Sequence, residues 1–225
     1  MPRVLPWVVG MLLCGVPLEG AAEAKGWPGA ETSPLLVRLA WTDPAGLMGG
    51  GWVQAAEETS RVLARLGLHA DSRGAPVSEP LSSEEIRVIL VPGAPPRGNG
   101  GRSAIGGASP TGSVPRVWVR PDGIAAILGA STPFRPLSAP PEVVLRFDRL
   151  LGRVVAHEVV HLLAPGVPHG RGLMAACLDV NEFLQRDLRI EPEVALLVQR
   201  TVSAGPTAVA ARDPDEEEAP FAAGP

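Results

Sequence analysis

The stretch His157-Glu158-Val159-Val160-His161-Leu162-Leu163-Ala164-Pro165-Gly166-Val167-Pro168-His169-Gly170-Arg171-Gly172-Leu173-Met174 decides how this chain is read. It holds three of the four histidines in 225 residues. His157 and His161 are four residues apart, close to one helical turn. On a helix both imidazoles therefore leave from one face. Two nitrogens so spaced can grip one zinc ion at about 2.0–2.1 Å each. Glu158 points about 100° away from His157 around the helix, where it reaches a water rather than the metal. Zinc brings the pKa of such a water toward about 7, and a carboxylate beside it can take the proton. Attack on a peptide carbonyl follows, and Glu158 can hand the proton to the leaving amine. Pro165-Gly166 stops the helix and turns the chain back, and Pro168 stiffens the approach of a third imidazole, His169.

The helix that would carry this pattern is long. From Pro141 to Ala164, apolar residues fall at 143, 144, 147, 150, 151, 154 and 155, then at 159, 160, 162 and 163. So many apolar positions predict a largely buried helix. Ser138 is placed to cap it, and Pro140-Pro141 suit its first turn. Gly152 is a local weakness of about 1 kcal/mol relative to Ala, unless it permits close packing.

Working outward, Pro34 to Trp41 reads as a strand and Trp52 to Leu66 as an amphipathic helix ended by Gly67. Leu68 to Asp71 and Ile86 to Val91 read as further strands. Residues 92–115 read as a Gly/Pro/Ser-rich loop. Gly98 to Gly107 lacks the Gly-Lys-Ser/Thr ending of a phosphate-binding loop. Val117-Trp118-Val119 reads as a short strand and Asp122-Gly123 as a turn. Leu178 to Leu188 and Pro192 to Val202 read as C-terminal helices. The expected fold class is α+β: a small, mixed, twisted sheet with a buried active-site helix and C-terminal helices, in one domain over residues 25–204.

Residues 1–24 read as a signal peptide, with Arg3 before an apolar run and Ala22-Glu23-Ala24 as the cleavage site. The expectation is a mature chain beginning at Lys25, secreted or periplasmic, with no membrane span. From Gly205 onward an Ala/Pro/Gly-rich tail with acids between Asp213 and Glu218 is expected to be disordered. A net charge of −4 gives no bulk attraction for nucleic acid. Cys14 and Cys177 are the two cysteines, too few for a cysteine-based zinc site. With Cys14 removed, Cys177 is expected to be an inert buried thiol, and His69 a surface residue.

The 157–174 stretch resembles the active-site segment of metzincin-type zinc peptidases within the zincin fold, which carry H-E-x-x-H-x-x-G-x-x-H and a later Met turn. It is also similar to secreted bacterial proteins reading roughly H-E-x-G-H-x-L-L-x(5)-H-x(4)-G-L-M. The resemblance implies one Zn²⁺ per chain on His157, His161 and His169, with Glu158 as base and Met174 as the Met-turn residue. The third histidine stands eight residues after the second rather than six, and Ala164-Pro165-Gly166 replaces the family's glycine. The resemblance also implies an edge strand over the cleft that pairs with an extended peptide or protein substrate, assigned to Val117, Trp118 and Val119. Asn181-Glu182 resembles the arrangement of gluzincin peptidases, which makes Glu182 the competing third ligand.

The function so implied is a zinc-dependent endopeptidase that uses water as nucleophile. The alternative is a non-catalytic zinc-binding domain that holds a protein partner. Glu158 argues against it, since a structural site needs no base and would be closed by a fourth protein ligand. A structural envelope protein with an incidental motif is a third reading, which metal analysis separates from the other two.

Overall fold

Strands and helices alternate along the first part of the chain. A computed structural model describes residues 35–93, 104–111, 114–177 and 179–204. The elements are β1 (Leu35–Thr42), α1 (Val53–Ala64), β2 (Leu68–Gly74), β3 (Glu85–Leu90), β4 (Gly106–Ser109) and β5 (Arg116–Val119). They are followed by α2 (Pro121–Ile127), α3 (Pro141–Leu163), α4 (Val180–Leu184) and α5 (Pro192–Ser203). The signal peptide and acidic tail expected from the sequence lie outside the described residues. Among the described residues, no helix is long and apolar enough to cross a membrane.

The strands form one mixed sheet in the order β2-β1-β3-β5-β4. β1 is parallel to β2 and β3, and β3 is parallel to β5. Parallel neighbours cannot be joined by a tight hairpin, and α1 supplies the crossover from β1 to β2. β4 runs antiparallel to β5, with Gly106 opposite Val119 and Ala108 opposite Val117. The small mixed sheet with packed helices expected of the α+β class is present, but the edge is not as expected. Val117, Trp118 and Val119 lie on β5, inside the sheet between β3 and β4. The edge strand is β4, within the segment read as loop. Gly-Gly-Ala-Ser has little strand propensity of its own. It is extended because β5 offers it a row of backbone partners.

Alternate residues of the strands enter the core: Val37, Leu39 and Trp41 of β1, Ile86, Val88 and Leu90 of β3, Val117 and Val119 of β5. Both α1 and α3 belong to the same cluster. The two helices meet at Gly152. A Cβ there would stand 2.8 Å from the Glu58 Cβ and collide with the Ala55 carbonyl. The missing side chain lets Thr59 Oγ1 reach the Gly152 carbonyl at 3.0 Å while also bonding Ala55 O at 2.9 Å. Beside this crossing, Glu58 and Arg153 are each 3% exposed and form an ion pair, Nε to Oε1 2.6 Å. A buried pair of this kind is tolerated when its remaining protons find acceptors. Arg153 donates them to the carbonyls of Phe183 and Gln185.

Two local readings are corrected. Asp122-Gly123 is the first turn of α2 rather than a free turn. The buried Asp122 carboxylate accepts from Gly93 N at 3.0 Å and Phe134 N at 2.9 Å, which ties the loops on either side of the helix to it. Ser138 does not cap α3. It closes a short 3-10 turn over Pro136–Ser138, while α3 begins from Pro140 with Pro141 in its first turn and no side-chain cap. A proline at that position needs no acceptor for its nitrogen, so the absent cap costs little.

Candidate metal centre

α3 presents His157, Glu158 and His161 in its last two turns, all half-buried. After Leu163 the chain leaves the helix through a turn at Pro165-Gly166. Val167 is buried, and its N–H bonds the Ala164 carbonyl at 3.1 Å, which folds the connection back on the helix end. His169 then arrives beside the helical pair. The three Nε2 atoms converge, with His161 3.1 Å from His157 and 3.2 Å from His169. Ligand nitrogens from all three residues lie within 4.8 Å of one another.

The donor set suits one ion. Two nitrogens held about 2.0–2.1 Å from a tetrahedral ion stand about 3.3–3.4 Å apart, close to the two spacings that involve His161. The tautomer is suited as well. His157 Nδ1 lies 2.7 Å from the Leu173 carbonyl oxygen. A carbonyl can only accept, so Nδ1 carries the proton and Nε2 keeps its lone pair for a metal. Burial lowers the pKa of His157 below the usual imidazole range. Burial, reinforced by His157 and His169, pushes His161 down to about 4. Both rings are thus neutral at pH 7, the form that binds a cation.

No protein-family model matches the chain, and no curated protein matches it. Among solved structures, it is similar to the crystal structure of archaemetzincin from Methanopyrus kandleri. The identity is 12%, 74% of this chain and 96% of that chain are covered, and the TM-score is 0.49.

A cleft of about 370 Å³ opens beside the histidines, lined by Ile105, Gly106, Ile127, Val154, Phe183 and the Ala175–Cys177 segment. His157, Glu158 and His169 form its polar wall. Burial in this cleft raises the Glu158 carboxyl to about 7. The edge strand passes directly over that residue. A Cβ on Gly106 would lie 3.0 Å from Glu158 Oε1 and 3.0 Å from Val154 Cγ1. Its neighbour Gly107 faces the opposite side of the sheet, where a Cβ would strike the Trp118 indole at 2.5 Å. Two consecutive glycines thus allow β4 to press against the Glu158 carboxyl on one face and the Trp118 indole on the other.

Other predicted residues have definite places. Met174 is buried and ends the 3-10 turn Gly172–Met174, the turn whose Leu173 carbonyl meets His157. Glu182 is not among the converging side chains. Its Oε1 instead accepts from Gly172 N at 2.9 Å. Cys177 is exposed and lines the cleft, contrary to the buried thiol expected. His69 is exposed on β2, as expected. The sequence reading missed Gly106, Ile127 and Phe183 as cleft residues, and Arg153 with Glu58 as a buried pair. A charged residue amid the apolar run Leu150 to Val155 was the available signal for Arg153. No comparable signal marks the cleft residues, since their roles arise from elements distant in the chain.

Proposed function

We propose that this chain is a zinc-dependent metallopeptidase of the zincin type, with His157, His161 and His169 holding the ion and Glu158 as the general base. The observation that carries the reading is the convergence of three imidazole nitrogens beside a carboxyl that opens on a peptide-sized cleft. A zinc ion there would supply Lewis acidity, making water acidic enough to react near neutral pH and polarising a carbonyl.

The protein's own groups do the rest. Glu158 sits one residue from His157 and faces the cleft rather than the nitrogens, so it is free to take a proton from water and return it to the departing amine nitrogen. Its raised pKa brings it near the pH at which it must both accept and release that proton. β4, an edge of the sheet among the described residues, offers an extended substrate a strand edge beside Glu158, replacing β5 in the role first expected. Three protein ligands leave a position open, which supports catalysis over a closed structural site. Residues 1–24 support export, with a mature chain that starts at Lys25.

The test combines metal content of the purified chain with cleavage of a broad peptide library. The expected result is about one zinc per chain and hydrolysis that Glu158→Gln removes. A chain that binds zinc and cleaves nothing under any condition moves the reading to the non-catalytic partner-binding domain. N-terminal sequencing of exported protein decides the mature start; an intact Met1 overturns it.

A further inference from the structure

Glu182 is the acidic residue nearest in kind to a ligand, yet its carboxylate is turned to a backbone amide. The amide belongs to Gly172, which opens the 3-10 turn Gly172–Met174. The middle residue of that turn, Leu173, offers its carbonyl to His157 Nδ1. A second fastener holds the same turn, for Leu173 N donates to Arg189 O at 2.8 Å. Glu182 is itself held at its place. Asp179 caps α4 by accepting from Asn181 N at 2.8 Å and from Glu182 N at 3.2 Å. The far end of α4 is tied by Arg153 to the carbonyls of Phe183 and Gln185. Arg153 and His157 are four residues apart on one face of α3. The helix therefore grips the 172–185 segment twice, through Arg153 at its end and His157 at its beginning, with Glu182 between.

We propose that Glu182 is a positioning residue: its side-chain oxygen, as a hydrogen-bond acceptor, holds the Gly172–Met174 turn so that Leu173 O keeps the His157 proton on Nδ1 and leaves Nε2 free to face His161 and His169. Glu182 thus supports the metal centre from outside, where the sequence offered it as a competing ligand. The inference rests on the reading of the three histidines as metal ligands. What it requires of residue 182 is an acceptor at the right reach, which Gln supplies, Asp does not reach, and Ala lacks.

The experiment uses the full chain stripped of metal and labelled with ¹⁵N-histidine. Long-range ¹H–¹⁵N correlation spectra report the His157 tautomer, and zinc affinity is measured by competition with a chromogenic chelator. Wild type and Glu182→Gln are expected to show the Nδ1–H tautomer and zinc affinities within about threefold of each other. Glu182→Ala and Glu182→Asp are expected to show mixed tautomers and zinc binding about 10- to 100-fold weaker. A purely architectural role would lower the unfolding temperature of the variants with His157 unchanged, and that result overturns the proposal. Glu182→Gln as impaired as Glu182→Asp overturns it too, because a neutral acceptor at the right reach would then not suffice. If Glu182→Ala does not fold, the Gln and Asp variants decide alone. A wild-type chain without zinc affinity defeats the metallopeptidase reading, while the tautomer of the metal-free variants still judges Glu182.

Discussion

The two parts of the histidine cluster are built differently. His157, Glu158 and His161 stand on α3, where their relation to one another follows from the helical repeat and from a backbone locked into the core. His169 stands on the segment after residue 163, where most of the backbone is irregular. It is brought into place by single hydrogen bonds: Val167 N to Ala164 O, Gly170 N to Met174 O, Gly172 N to Glu182, Leu173 N to Arg189 O. The helical half inherits its precision from cooperative structure. The other half depends on fasteners that can be removed one at a time, each worth about 1 kcal/mol net. The helical half should therefore resist all but direct substitution, and the irregular half should fail by degrees.

The largest expected effect lies on the helix. Glu158→Gln should lower hydrolysis by about 100-fold or more while the zinc content stays at the wild-type level. Peptide cleavage and metal analysis on one preparation check this, and wild-type turnover in the variant would falsify the base assignment. Across the two halves, His169→Ala should lose most of its zinc at a concentration that still loads Glu182→Ala. A zinc-replete His169→Ala beside a zinc-free Glu182→Ala reverses the ligand assignment.

The support beneath the helical half can be attacked where α1 crosses α3. Gly152→Val must push the Ala55 carbonyl and Glu58 aside, and should destabilise the fold by about 3 kcal/mol, read as a lower urea midpoint. A smaller effect of the opposite sign is expected one turn earlier. Asp148 is buried, its Oδ1 has no hydrogen-bond partner among the described residues, and burial raises its carboxyl to about 6. The folded pKa lies above the unfolded value of 3.8. The favourable contribution of the protonated group is thus complete below about pH 4 and lost as pH rises through about 6. Asp148→Asn should be more stable than wild type at pH 8 by on the order of 2 kcal/mol, with the difference closing toward pH 4. Denaturation curves at the two pH values test it, and a pH-independent difference rejects it.

The chain's own order of residues determined much of this. The strand at 35–42, the helices α1 and α3, and the strands β3 and β5 follow from hydrophobic periodicity, which a helix or strand expresses through its nearest neighbours. The pairing of His157 with His161, and the separation of Glu158 from both, is helical geometry written in four-residue spacing. Tertiary structure alone decided what depends on distant partners. β4 is a strand because β5 lies next to it, so Gly106–Ser109 carries no strand signal and the edge was first assigned one strand too far inward. Cys177 is exposed because a cleft opens beside it, and Asp122 is a clamp because two loops reach it. The separate places of His169 and Glu182 depend on a turn held by residues 182 and 189. The folding of that turn sends one side chain to the imidazoles and the other to a backbone amide. Local periodicity carries no information about which remote acceptor a loop amide will find, so the bond from Gly172 N to Glu182 appears only once the chain is folded.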